Sequence, residues 1–143
     1  IHEYINNSVS NVLVMCDVDN FKSINDTYGH STGDDILRLI SDTFKKNVRN
    51  NDIICRYGGD EFLIIFTGCD VEVALRRLEK IQETLSKLSK KIKVTLSFGV
   101  SIYKNDKSLN DAIEEADKNL YLSKGNGTGV ITFNGKNKIK KID

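Results

Sequence analysis

Residues Ile53-Ile54-Cys55 and Leu63-Ile64-Ile65-Phe66 are two short apolar runs, and Arg56-Tyr57-Gly58-Gly59-Asp60-Glu61-Phe62 connects them. Two β-prone runs joined across Gly-Gly predict a tight hairpin, with the glycines expected to supply the positive φ that such turns need. A hairpin here forces antiparallel pairing into the middle of the chain, which narrows the possible sheets more than any other stretch does. Two adjacent carboxylates follow the glycines. Neighbours on a strand point to opposite faces, so Asp60 and Glu61 cannot do the same job. Alone, Gly-Gly-Asp-Glu reads equally as a hairpin with a solvated acidic shoulder.

The remaining elements fall around this hairpin. The run from Asn11 to Cys16 ends in Asp17-Val18-Asp19 and reads as a central strand carrying carboxylates at its C-terminal end. Phe21 to Tyr28 predicts a short helix, broken at Gly29-His30-Ser31. A second helix is expected over about 32–48, with Ile36, Leu37, Ile40, Phe44 and Val48 at helical spacing. Asp70 is placed to cap a third helix, and Ser108 a fourth that carries Leu109, Ala112, Ile113, Ala116 and Leu120. Between them, Ile92, Val94, Leu96, Phe98, Val100 and Ile102 alternate with polar or small residues, the pattern of a half-buried strand. Val130 to Phe133 predicts a short closing strand. Residues 134–143 read as a flexible tail, and residues 1–9 carry a weak signal for the end of a helix. The expected order is β-α-α-β-β-α-β-α-β. The hairpin demands antiparallel neighbours while the helical crossovers favour parallel ones, so the expectation is an α+β fold with a mixed central sheet and helices packed on it.

Composition excludes several classes. The chain has 143 residues, one domain's worth, with 39% apolar and 29% charged residues. A net charge of +1 offers no broad basic surface for the phosphates of nucleic acid. The three cysteines, Cys16, Cys55 and Cys69, are odd in number and lack metal-ligand spacing. Two of them sit in apolar runs and are expected to be small buried hydrophobes, which fits a reducing, cytoplasmic setting. No apolar run approaches the ~18 residues needed to cross a bilayer. The setting therefore reads as cytoplasmic, including the cytoplasmic part of a larger membrane-attached protein.

The chemistry concentrates in Asp17-Val18-Asp19-Asn20-Phe21-Lys22-Ser23-Ile24-Asn25-Asp26. A strand ending in two acids and turning into a helix with a lysine suits a metal-bound polyphosphate: carboxylates hold the cation, and loop amides and the lysine take phosphate. The competing reading is a polar strand end with helix-capping acids. If the hairpin lies beside the first strand, Asp60 approaches Asp17, and two such carboxylates meeting at one point are costly unless a cation sits between them.

These motifs, in this order, resemble the GGDEF family of diguanylate cyclases over about residues 11–127. The resemblance implies a ferredoxin-like, palm-type nucleotide cyclase architecture with the hairpin at the active site. It implies Asp17, Asp60 and the Val18 carbonyl as ligands to Mg²⁺ or Mn²⁺, and Asp60, Glu61 and Lys22 as catalytic. It also implies Lys22, Asn25, Asp34 and Lys124 as GTP-binding residues. Asn25 and Asp34 would hold guanine, whose N1–H and amino group a carboxylate accepts together and adenine does not offer. The other reading of Asp34 is a first-turn acid favoured by the helix dipole, and that of Lys124 a solvated lysine at a helix C-terminus. The implied reaction condenses two GTP into cyclic di-GMP and two pyrophosphates, with two domains paired face to face as a homodimer. The Asp-x-Leu-Thr and Asn-Arg segments that precede the family's first helix have no counterpart. The expectation is therefore an N-terminally truncated single domain over residues 1–143, belonging downstream of a sensor domain.

Two further features bear on function. Arg49-Asn50-Asn51-Asp52 lies five residues before Gly58 and resembles the family's inhibitory site for the product, with Arg49 and Asp52 as binding residues. An ordinary polar turn is the other reading, and Arg76, Arg77 and Lys80 are candidates for a secondary contact. After Lys124, where the family carries Gly-Arg-Asn, this chain has Gly127-Thr128-Gly129. The lost arginine supports an alternative: a degenerate domain that binds GTP or cyclic di-GMP without turnover.

Overall fold

The computed structural model describes residues 10–104 and 106–139, so the expected helix end in residues 1–9 and the last four residues of the tail lie outside the described residues. The elements are β1 (Asn11–Val18), α1 (Phe21–Tyr28), α2 (His30–Lys46), β2 (Ile53–Arg56), β3 (Glu61–Phe66), α3 (Val71–Leu88), β4 (Leu96–Tyr103), α4 (Leu109–Gly125), β5 (Val130–Phe133) and β6 (Lys136–Ile139). They form one six-stranded sheet in the order β2-β3-β1-β4-β5-β6. The architecture is the α+β arrangement expected. The pairing is more antiparallel than the crossovers suggested. β3 inserts between β1 and β2, and β1 lies between β3 and β4, so β4–β5 is the parallel pair of neighbours.

Helices cover both faces, which explains why β1 is apolar without a break from Val12 to Cys16. Val12, Val14, Cys16 and Val18 join Phe62, Ile64, Phe66 and Phe98 under α1, α2 and α3. Leu13 and Met15 join Leu63 and Ile65 under α4 on the opposite face. The α4 contact is unusually close at Gly99, where an added Cβ would lie 2.0 Å from the Ala116 carbonyl oxygen and 2.2 Å from the Leu120 nitrogen. Only glycine lets the helix backbone rest on the strand there. Ser108 caps α4 by accepting from the Asp111 N–H at 3.0 Å. Asp70 occupies the N-cap position of α3 without a side-chain capping bond.

Four expectations need correction. Residues 92–95 do not belong to β4, because β1 ends at Val18 opposite Leu96 and leaves them no partner strand. Gly58 and Gly59 do not take positive φ. The turn closes instead through the Tyr57 N–H donating to the Glu61 carbonyl at 2.8 Å, a wider loop that does not need the left-handed region. Cys55 is exposed on the edge strand β2, whereas Cys16 and Cys69 are buried. Lys136–Ile139, expected to be flexible, pairs with β5 across Asn134 and Gly135, whose φ values of 53° and 71° are those of a type I′ turn. No helix among the described residues is long and apolar enough to cross a membrane.

Candidate functional site

The C-terminal end of β1 meets the hairpin turn. Asp17 stands opposite Glu61 in the β1–β3 register, and the Val18 N–H donates to the Asp60 carbonyl at 3.1 Å. Register puts Glu61 on the same sheet face as Asp17. The Asp60 carboxyl lies near enough for its charge to act on Asp17. Burial pushes the Asp17 carboxyl up to about 6, and the neighbouring Asp60 charge adds to the rise against the opposing Lys124 ammonium. One Asp17 oxygen, Oδ1, is buried without a hydrogen-bond partner. The other, Oδ2, faces Lys124 Nζ at 3.2 Å. Among the described residues no cluster of three or more His, Cys, Asp or Glu side chains converges as a metal site. The carboxylates brought together here are Asp17 and Asp60. Hard oxygens with one carboxylate oxygen unsatisfied fit a divalent cation such as Mg²⁺ or Mn²⁺.

Asp19 does something different. Its side chain is 3% exposed, and it accepts from Ser97 Oγ at 2.7 Å, Thr95 Oγ1 at 2.7 Å, the Gly129 N–H at 2.9 Å and Lys124 Nζ at 3.3 Å. It ties β1 to the start of β4, to α4 and to the loop before β5. Lys124 therefore bridges Asp17 and Asp19. Burial alone would lower its affinity for a proton, but the two carboxylates outweigh that and hold its pKa above the ordinary lysine value.

Helix α1 starts at this acidic end. Its N-cap, Asn20, sits at φ 56° and makes no side-chain capping bond, so the N–H groups of the first turn have no side-chain acceptor there. Lys22 is exposed on that turn. One helical turn on, the Asn25 amide oxygen is buried without a partner, pressed against Gly33, where a Cβ would come within 1.8 Å of it. Asp34 follows, exposed on α2. It lines a cavity of about 350 Å³ with Leu37, Arg38, Ser41 and Arg56. Sequence reasoning passed over Arg56, whose Nε and Nη2 donate to the Gly59 carbonyl at 3.2 and 2.6 Å and brace the turn.

The second cluster lies between α2, the end of β3 and α3. The Asp52 carboxylate is fully enclosed, accepting from the Arg49 N–H at 2.7 Å and the Thr67 N–H at 3.0 Å and pairing with Arg77 Nη1 at 3.4 Å. Arg49 also donates to the Thr67 carbonyl. Arg77 lies over the Phe66 ring, 5.5 Å from its centre. With its oxygens committed inward, Asp52 orients the two guanidinium groups, which keep 49% and 27% of their side-chain exposure.

A profile of the family described as "Diguanylate cyclase, GGDEF domain" matches residues 2–129. Diguanylate cyclase A of Treponema denticola is 41% identical over 131 residues, covering 87% of this chain and 35% of its own. The chain thus spans about a third of the length of that relative. Among solved structures, diguanylate cyclase SiaD of Pseudomonas aeruginosa, crystallised with its activator SiaC, superimposes with a TM-score of 0.84 at 30% identity. That match covers 92% of this chain and 53% of that one. The GGDEF domain of DgcB from Caulobacter crescentus, in complex with c-di-GMP, gives a TM-score of 0.83 at 31% identity, covering 92% and 79%.

Proposed function

Because the chain belongs to the GGDEF family of diguanylate cyclases, we propose that it condenses two GTP molecules into cyclic di-GMP and releases two pyrophosphates. The observation that carries the reading is the juxtaposition of Asp17 and Asp60, with a buried Asp17 oxygen lacking any partner. Such a pair is costly when empty and suits a cation. Mg²⁺ or Mn²⁺, held by Asp17, Asp60 and the Val18 carbonyl, would activate the attacking hydroxyl and neutralise charge on the phosphates.

The chain's own groups do the rest. Lys22 and the uncapped N–H groups of α1 receive phosphate oxygens, a role for which the helix N-terminus is polarised. Lys124 now neutralises Asp17, and it turns to the phosphates once another cation takes that task. Asp34 and the partnerless Asn25 oxygen accept from the guanine edge. Asp60 takes the proton from the ribose 3′-hydroxyl, and Glu61, on Asp17's sheet face, supports the acidic set. Each domain offers one pocket, so the two α-phosphates meet their hydroxyls when two copies pair face to face. In a longer protein an upstream sensor segment would govern that pairing. Arg49 and Arg77 clamp the product at the second cluster, with Asp52 holding them in place. The non-catalytic alternative rests on Thr128 and Gly129 alone.

The test is incubation with GTP and Mg²⁺ at high protein concentration, followed by chromatography. Cyclic di-GMP with two pyrophosphates per molecule is expected. Tight GTP binding with no product would oppose the reading.

A further inference from the structure

β2 is an outer strand of the sheet, and among the described residues no strand lies on its far side. The ladder shows which groups are free there. The Tyr57 N–H donates to the Glu61 carbonyl at 2.8 Å, and β2 pairs with β3 from Arg56 opposite Phe62 back to Ile53 opposite Ile65. Bonded and unbonded pairs alternate in an antiparallel ladder. Ile53 and Cys55 therefore bond inward to β3, while Ile54 and Arg56 turn their N–H and C=O groups outward. The Val18 N–H bond to the Asp60 carbonyl fixes the same alternation from the β1 side of β3.

Nothing in β2 guards these outward groups. Lysine and proline are the usual protection of an edge strand. β6, the opposite edge, has lysine at two of its four positions, Lys136 and Lys138. Residues 53–57 contain neither type, and their one charged side chain, Arg56, is folded back onto the Gly59 carbonyl at 2.6 Å. On its other face the same stretch presents a row of alternate residues: half-buried Ile53, exposed Cys55, and Tyr57 with 55% exposure.

This edge is complementary to itself. Set it antiparallel to a second copy, with a two-fold axis at Cys55. Ile54 of each copy then faces Arg56 of the other, and the outward N–H and C=O groups of both residues find partners. Ile53 lies opposite Tyr57 of the second copy, a β-branched residue against an aromatic one, and the two Cys55 side chains meet at the axis. The neighbouring registers are poorer. An axis at Ile54 sets Arg56 against Asp52, whose N–H is already given to the Arg49 carbonyl at 3.0 Å. An axis at Arg56 sets two guanidinium groups against each other.

We propose that β2 is a docking edge for a second copy of this chain, paired antiparallel about Cys55 into a sheet continuous across both copies. The pairing needs neither nucleotide nor metal and does not rest on the cyclase reading.

The experiment is sedimentation equilibrium of the whole chain over a concentration series, without nucleotide or metal and in reducing buffer, so that no disulfide stands in for the interface. Amide hydrogen exchange is followed by NMR on the same samples. The variants are Cys55→Lys and Cys55→Val; the position is exposed, so both keep the fold. The expected result is a monomer–dimer equilibrium that Cys55→Lys weakens by at least about fivefold, because it sets like charges opposite each other at the axis, and that Cys55→Val retains. Exchange at the Ile54 and Arg56 amides slows as concentration rises. A monomer throughout the series, a dimer that Cys55→Lys leaves intact, or exchange at Ile54 and Arg56 independent of concentration would overturn the proposal. Cyclic di-GMP synthesis is scored separately: pairing through β2 without synthesis would sink the cyclase reading and leave this one standing, and synthesis by a chain that never pairs through β2 would do the reverse.

Discussion

Replacing Asp60 by asparagine should make the metal-free protein more stable while removing its response to Mg²⁺. Asp17 rises from 3.8 to about 6. At about 1.4 kcal/mol per unit, keeping it ionised in the folded state costs about 3 kcal/mol near neutral pH. Burial is the largest cause, and the Asp60 charge is the principal upward contribution after it. Asp17 keeps 23% side-chain exposure, so solvent screens part of the repulsion, and the share relieved by Asp60→Asn is on the order of 1 kcal/mol. That corresponds to a gain of about 3 °C in Tm for a chain of this size. A folded pKa above the unfolded one means the folded state binds more protons between about pH 4 and pH 6. Metal-free wild type should therefore lose stability as pH rises through that window, and the variant should lose less. Scanning calorimetry from pH 5 to pH 8, in EDTA and again in Mg²⁺, measures both effects. If the variant melts below its parent in EDTA at pH 7.5, or keeps the full Mg²⁺ stabilisation, the shared-cation argument is wrong.

Three other substitutions probe separate parts of the account. Gly99→Ala should cost about 2 kcal/mol or more in urea unfolding, because its Cβ would strike the α4 backbone, while Gly59→Ala, with open space around it, should stay within about 0.5 kcal/mol. Arg49→Ala should weaken cyclic di-GMP binding by about tenfold or more by calorimetry and relieve product inhibition, leaving initial turnover unaltered. Asp34→Asn should cut the preference for GTP over ATP by at least about tenfold in competition binding, since an amide cannot accept from both guanine donors.

Much of this molecule is legible in the order of its residues, for identifiable reasons. Helices α1 to α4 carry apolar spacing clear enough to place them, and the Ser108 cap marks where α4 begins. β1 announces itself as a buried strand because both of its faces are covered. What sequence alone did not yield is set by partners distant in the chain. Residues 92–95 have the alternation of a strand, yet strand status depends on a neighbour, and β1 stops at Val18. β6 is nearly all polar, so hydropathy hides it; the Asn134-Gly135 pair was the available signal. Within the site, Asp17 and Asp19 look alike two residues apart. One keeps an unsatisfied oxygen while the other is fully engaged by Thr95, Ser97, Gly129 and Lys124, a distinction that no local pattern encodes. Asp52 likewise reads as a ligand-facing acid but spends its oxygens holding Arg49 and Arg77.

The central claim is that acids from β1 and from the hairpin share one divalent ion. Crystals grown with Mn²⁺ and a non-hydrolysable GTP analogue, measured at the manganese absorption edge, address it directly. The account predicts an anomalous peak about 2.2 Å from carboxylate oxygens of both Asp17 and Asp60, with Lys124 drawn away from Asp17. A peak that touches neither carboxylate, with Lys124 still paired to Asp17, would contradict it.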